Sequence, residues 1–290
     1  MKPPPFDYHD PKTLDEALAL LAEHQGEAAV LAGGQSLVPL LNVRKVTPKY
    51  VIDINSVAEI SALRPSPATL RIGAMTRQAE IERSSAVAER WPLLREAVGW
   101  VAHPQIRSRG TVGGSVMNAD PTSEIPAALV ALDARFEARS VRGTRTLGWR
   151  EFFPASGGTA LGPDELLVGI EVPPLPERTG TAFVEYARRH RHRSLGGAAV
   201  VLTLDAGGVC TDASVALLGA AARPHRSELA EEVLTGAVVD AETAAAAARA
   251  ATAAITPPDD VHGSAEYRAS LIGTLLRRAI GTAAERAGGS

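Results

Sequence analysis

Residues 102–126 read AHPQIRSRGTVGGSVMNADPTSEIP, and the rest of the chain is organised around them. The stretch holds a glycine pair, Gly113-Gly114, flanked by the hydroxyls of Thr111 and Ser115. Arg107, Arg109 and Gly110 come just before it, and a polar, proline-punctuated run from Asn118 to Glu124 follows. Such a segment has little to bury and much backbone N–H to offer. Successive amides around a glycine pair can form a concave anion-binding nest, because glycine accepts the positive φ values that such a turn needs. The bland alternative is a tight turn between two elements.

A second glycine pair lies upstream. Thr13-Leu-Asp-Glu16 has the hydroxyl and the acid three positions on of a helix capping box, and Leu14, Ala17, Leu18 and Leu21 give a helical stripe ending near Gly26. Ala28–Ala32 reads as a short buried strand that runs directly into Gly33-Gly34-Gln35-Ser36; after a short segment, Leu37–Val43, Tyr50–Ile54 reads as another strand. The first 55 residues therefore look like a small α/β unit with a glycine loop at a strand end, where ligands of open α/β sheets tend to bind. The loop has neither the Gly-x-Gly-x-x-Gly spacing of dinucleotide folds nor the Gly-Lys-Ser/Thr ending of a P-loop. The second pair begins 80 residues after the first, and neither loop carries a lysine. Backbone amides and hydroxyls converging from two loops suit a tightly held dinucleotide that is not hydrolysed.

Further on, Leu70–Ala74 reads as a strand, and Arg77–Glu82 and Trp91–Val98 as helices. Beyond the central stretch, Ala127–Leu132 suggests a helix, and Ala134–Ser140 and Glu165–Val172 suggest strands. Pro173-Pro174, with Pro176 and Gly180, marks the best domain boundary. Residues 1–176 are thus expected to form one domain, with subdomains at about 1–55 and 56–176, and residues 177–290 a second. In the second, Ala182–Ala187, Ala198–Leu204 and Ala213–Leu218 read as an antiparallel sheet. Ser227–Leu234, Ala241–Ala254 and Ala265–Ile280 read as helices, the last with Arg277-Arg278 near its end. The fold class is α+β, with an α/β N-terminal subdomain.

Composition excludes several function classes. A net charge of -3 argues against a nucleic-acid binder. No apolar run approaches the roughly 20 residues of a membrane span, and MKPPPFDYHDP at the start has no apolar core of a secretory signal, so a cytoplasmic location is expected. One cysteine, Cys210, permits no intrachain disulfide and no cysteine-ligated cluster from this chain alone. The histidines have no metal-binding spacing; His190 and His192 sit in an arginine-rich run. No metal is expected.

The paired motifs carry a resemblance. AGGQSLVPLL at 32–41, IRSRGTVGGS at 106–115 and DPTSEIP at 120–126 are similar to the FAD-binding medium subunit of the molybdenum hydroxylases. That family includes carbon monoxide, nicotine and caffeine dehydrogenases and the flavin domain of xanthine dehydrogenase. IGAMT at 72–76, ALDA at 131–134, ELLVGIEVP at 165–173 and the arginine pair of EYARRHR extend the similarity over nearly the whole chain.

The resemblance implies a two-part FAD-binding domain of the vanillyl-alcohol-oxidase (PCMH) type and a C-terminal α+β domain. By motif match, Val30, Leu31, Ala32, Gly33, Gly34, Gln35, Ser36 and Leu37, with Thr111, Val112, Gly113, Gly114 and Ser115, would wrap the FAD pyrophosphate, Ser36, Thr111 and Ser115 donating hydroxyls. Ala102 would approach the cofactor, Glu124 would accept from a ribityl or ribose hydroxyl, and Leu167 would pack beside the isoalloxazine. Glu124 as a helix N-terminal charge and Leu167 as plain core are the competing readings. Many relatives carry Lys after the Phe of the 183–189 strand, where this chain has Val184 and Glu185. Many also have Asp a few residues after the arginine pair, where Ser194-Leu195-Gly196 stands here. By the resemblance, Arg188 is the candidate to take over at the isoalloxazine carbonyl edge, and Tyr186 the candidate to stack on the ring or to take a core or surface position.

Complexes of this family join a molybdenum centre, two 2Fe–2S clusters and FAD. This chain has too few cysteines for the clusters and no molybdopterin-sized domain, so the resemblance implies the electron outlet of an oxidoreductase such as a xanthine, aldehyde, nicotine or CO dehydrogenase. FAD would be held here, and molybdopterin and the clusters in a large molybdenum subunit and a small iron–sulfur subunit, as a heterotrimer or its dimer. The basic run Arg188–Arg193 would be a solvated face or a dock for the iron–sulfur subunit. A stand-alone FAD oxidoreductase and a flavin-less interaction module are the alternatives.

Overall fold

The helix Leu14–Glu23 starts where its capping residues place it. Thr13 Oγ1 accepts the Glu16 N–H at 3.2 Å, and Glu16 Oε2 accepts the Thr13 N–H at 3.2 Å. In the computed structural model, which describes residues 2–189 and 192–289, this helix connects the first two strands of a small parallel sheet. β1 (Asp7–His9), β2 (Ala28–Leu31) and β3 (Tyr50–Asp53) lie in the order β1-β3-β2. Leu14, Ala17, Leu18 and Leu21 are buried against Ile52 and Ile54, and against Leu166 and Val168 of the second sheet.

That second sheet is antiparallel. β4 (Leu63–Pro65), β5 (Leu70–Gly73), β6 (Arg135–Ser140), β7 (Gly143–Gly148) and β8 (Leu166–Val172) run in the order β4-β5-β8-β6-β7. The sheet's core residues Leu70, Ile72, Phe136 and Ile170 share one apolar cluster with Leu94 and Val98 of the helix Pro92–Trp100, Val112 and Val116 of Val112–Asn118, and Leu129 of Glu124–Ala131.

The third sheet, of β9 (Thr179–Tyr186), β10 (Gly196–Leu204), β11 (Cys210–Leu218) and β12 (His225–Arg226), is antiparallel in the order β12-β11-β10-β9. Alternation along its strands gives it two buried faces. Ala182, Ala198, Val200 and Val215 pack on the helices Ala241–Ala253 and Ala265–Gly288. Phe183, Ala199, Ala216 and Leu218 join the cluster of the second sheet. The contact with the last helix is tight: a Cβ on Gly180 would stand 1.9 Å from the Ala283 carbonyl oxygen.

The structure departs from the sequence-based expectations at several points. Leu37–Asn42 is a helix, and β4 and β7 are further strands. The last helix continues eight residues beyond Ile280, to Gly288. Gly281 does not end it, because Ala283 and Ala287 are buried on the sheet. Arg277-Arg278 consequently sits inside the helix, and the basic residue of its last turn is Arg286. Gly113 and Gly114 are not in a left-handed nest. They belong to the first turn of the helix Val112–Asn118 and have no positive φ. Their requirement for glycine is close approach: a Cβ on Gly113 would stand 2.6 Å from the Ala74 carbonyl oxygen. Among the described residues, no helix is long and apolar enough to cross a membrane.

Candidate cofactor site

The two glycine motifs meet backbone to backbone. A Cβ on Gly33 would stand 2.3 Å from the Arg109 carbonyl oxygen and 2.8 Å from the Gly110 Cα. Gly34, which follows, has φ +74, a left-handed conformation natural to glycine. A polar chain ties the loops together behind this contact. Asn55 Nδ2 donates to the Ala32 carbonyl at 2.8 Å, and Arg77 Nη2 donates to Asn55 Oδ1 at 2.7 Å. Arg77 Nη1 then donates to the Arg109 carbonyl at 2.6 Å. The sequence reading missed Asn55 and Arg77. Their signal was present only as a polar residue just past a strand end and an arginine just before a helix.

Between the loops lies a cleft of about 430 Å³. Its lining includes Val30, Ala32, Gly33, Gly34, Gln35, Ser36 and Leu37 on one side and Thr111, Gly113, Gly114 and Ser115 on the other; Glu124 and Leu167 close it. Four residues expected at the site do not line it. Leu31 lies in β2 beneath the loop, and Val112 is buried in the core with its N–H on the Thr76 carbonyl at 3.0 Å. Ala102 stands at φ +37 with its carbonyl turned to Arg107 Nη1, while its neighbour Val101 reaches the cleft. Arg188 is exposed on the third sheet's side and donates to the His262 carbonyl at 2.8 Å. Of the basic run that follows it, His190 and Arg191 lie outside the described residues.

The loops offer different groups. The N–H groups of Gly33, Gly34, Gln35 and Ser36 have no acceptor among the described residues. The amides of the second motif are already engaged. Gly113 N–H donates to the Ala74 carbonyl at 2.8 Å, and Gly114 N–H to Thr111 Oγ1 at 3.0 Å, as Thr111 caps its helix. The first loop therefore offers open amides, and the second offers side chains. Gln78, another cleft residue that the sequence reading missed, has Oε1 buried without a donor. Glu124, first residue of its helix, is held at a pKa of about 7. Burial is the main cause and the nearby Asp120 charge a further one, while its own backbone N–H pulls the other way.

These residues fit a flavin dinucleotide. Open amides suit a pyrophosphate, the unpaired acceptor of Gln78 and the carboxyl of Glu124 suit sugar hydroxyls, and apolar walls at Val101 and Leu167 suit a ring system. Among the described residues no group of histidines, cysteines or carboxylates is arranged to hold a metal ion.

Known proteins share this chain's sequence pattern and fold. Residues 4–175 match the family described as the FAD binding domain in molybdopterin dehydrogenase, and residues 181–283 match the CO dehydrogenase flavoprotein C-terminal domain. The 6-hydroxypseudooxynicotine dehydrogenase complex subunit alpha of Paenarthrobacter nicotinovorans is 43% identical over 99% of this chain and 97% of its own. The carbon monoxide dehydrogenase medium chain of Afipia carboxidovorans is 37% identical, covering 99% of both. Among solved structures, carbon monoxide dehydrogenase from Hydrogenophaga pseudoflava, lacking the Mo-pyranopterin moiety, superposes with a TM-score of 0.95 at 37% identity, covering 99% of each chain. Quinoline 2-oxidoreductase from Pseudomonas putida 86 superposes at 0.93 and 36% identity, covering 99% of this chain and 100% of that one. The chain belongs to the family of FAD-binding medium subunits of the molybdenum hydroxylases.

Proposed function

We propose that this chain is the FAD-carrying electron-transfer subunit of a molybdenum-containing dehydrogenase, taking electrons from 2Fe–2S clusters of a small partner subunit and passing them to an external acceptor. The observation that carries this reading is the cleft between the two glycine motifs, with a row of open amides on one wall and the unpaired Gln78 Oε1 among its lining groups.

When bound, FAD supplies the ability to collect electrons singly and release them in pairs. The chain's own residues do the rest. The Gly33–Ser36 amides bind the pyrophosphate, assisted by the hydroxyls of Ser36, Thr111 and Ser115. Glu124 accepts from a sugar hydroxyl and fixes the cofactor's register. Leu167 and Val101 exclude water from one side of the ring. No side chain is assigned as a catalytic acid or base.

In this reading a large molybdenum subunit chooses the substrate, and the three subunits form a heterotrimer or its dimer in the cytoplasm. Relatives named medium chain and complex subunit alpha support a multi-subunit assembly. The two family matches, at 4–175 and 181–283, support a division into domains 1–176 and 177–290. The test is anaerobic. Co-purified with its iron–sulfur and molybdenum partners, the flavin should bleach when substrate is added, and the isolated chain should not respond to that substrate. Bleaching of the isolated chain by substrate alone would point instead to a stand-alone oxidoreductase.

A further inference from the structure

Behind Glu124 lies a second carboxyl that neither the loops nor the cleft lining explains. Phe183 of β9 joins the core shared with the second sheet, whereas Ala182 and Val184 pack toward the last helix. By strand alternation Glu185 turns the same way as Phe183, onto the sheet face where the helix Glu124–Ala131 packs against β10 and β11. Glu185 is 7% exposed, and neither carboxyl oxygen has a hydrogen-bond partner. Its cross-strand neighbour is Gly197, where a Cβ would stand 2.9 Å from the Glu185 Cβ.

The charged groups around it are accounted for. From the helix Pro92–Trp100, Glu96 accepts the Phe183 N–H at 3.2 Å and pairs with Arg286 at 2.7 Å. In the connector before Glu124, Asp120 accepts from Thr122 at 2.7 Å and from Arg193 at 3.2 Å. On the last helix, Arg268 is occupied by Asp260 at 2.7 Å and the Leu195 carbonyl at 3.1 Å. From the helix Glu124–Ala131, the charge acting on Glu185 is that of Glu124, which repels. Among the described residues, no cation reaches Glu185.

A carboxylate buried with no donor and a like charge nearby gives up its charge by keeping its proton. Burial first, and Glu124 second, push the Glu185 pKa up to about 9, above that of Glu124. The two carboxyls therefore titrate as a coupled pair in which Glu185, buried without a donor, is the more strongly raised.

We propose that Glu185 is the proton-bearing carboxyl of the cofactor site: held behind Glu124 as the neutral acid, it lets Glu124 face FAD as a lone carboxylate, and FAD is retained only while that proton stays. The proposal rests on Glu124 as a cofactor contact. Ionisation of Glu185 would place two carboxylates beside a bound dinucleotide that is itself anionic. The proton lost goes to solvent, and its return restores the site. Glu185 acts through Glu124, as a positioning residue.

The test uses the full chain and FAD, titrated by flavin fluorescence quenching between about pH 7 and about pH 10, the range in which the pair titrates. Wild-type affinity should fall by up to about tenfold per pH unit above the titration of Glu185. Glu185→Gln, a permanent mimic of the neutral acid, should bind as wild type at the lower end and lose the alkaline fall. Infrared spectra at neutral pH should show a protonated-carboxyl absorption that Glu185→Gln removes. Affinities of wild type and Glu185→Gln that fall together, or a spectrum in which the substitution removes no such absorption, would overturn the proposal. Glu124→Gln separates the two readings. It should weaken FAD binding across the whole range; unchanged affinity would overturn the cofactor contact at Glu124, while the infrared absorption independently decides the state of Glu185.

Discussion

Gly33 lies so close to the carbonyl oxygen of Arg109 that a Cβ on it would stand 2.3 Å away. The obstacle is backbone, which has no rotamer by which to retreat. The two motifs therefore fit together only as glycine against backbone, and the cleft inherits its width from that contact. Gly33→Ala should force the loops apart, costing about 1–3 kcal/mol in stability and weakening FAD binding at least tenfold, measured by denaturant unfolding and fluorescence titration. Gly26→Ala is a useful contrast. It strains a positive φ, +76, but has no atom within 4 Å of its added Cβ, so it should cost stability while leaving FAD affinity near wild type.

Arg77 bridges Asn55 Oδ1 and the Arg109 carbonyl with two different nitrogens. A lysine carries the charge but lacks the planar fork. Arg77→Lys should therefore weaken FAD binding about tenfold, near the lower end of what a charged hydrogen bond contributes, and Asn55→Ala should do the same. The double variant should lose less than the sum of the two, because both residues belong to one chain of contacts. A fully additive double variant would show that the two act separately.

Thr111 caps its helix through the Gly114 N–H. Thr111→Ala should cost about 1 kcal/mol of stability and Thr111→Ser much less. Thermal unfolding of the two variants checks this directly.

The FAD-free protein should lose stability as pH rises. Glu124 and Glu185 both have pKa values raised in the folded chain, to about 7 and about 9, so the folded state holds more protons than the unfolded one from the ordinary carboxyl range up to those values. Their contribution is complete below the unfolded carboxyl pKa and disappears as pH climbs through the folded values. Unfolding free energy should drop by an amount on the order of several kcal/mol as pH rises from the ordinary carboxyl range to about 9, most steeply below about 7 where both groups hold a proton that the unfolded chain has lost, and level off above. Glu185→Gln should flatten the upper part of that decline, and a decline of unchanged steepness would contradict the assignment.

Much of this molecule was legible in its sequence, and what escaped did so for physical reasons. The Thr13–Glu16 capping box and the apolar stripe behind it are local signals, and the helix Leu14–Glu23 follows them. The Gly33-Gly34 loop ends a strand as read. Gly113-Gly114 was legible as special but not as helical: glycine in a sequence signals either a positive φ or a near neighbour, and only the fold brings Ala74 against it. Asn55 and Arg77 carry no motif, because their role exists only where three segments meet. Glu185 read as a departure from the family pattern. Its burial beside Glu124 depends on the packing of the third sheet against the first domain.

The most direct measurement is the visible spectrum of the purified chain, with its chromophore released by heat and identified. A yellow protein yielding about one FAD per chain, as expected for a site with one dinucleotide cradle, is the predicted result. A colourless chain that quenches no flavin fluorescence on titration with FAD would contradict it.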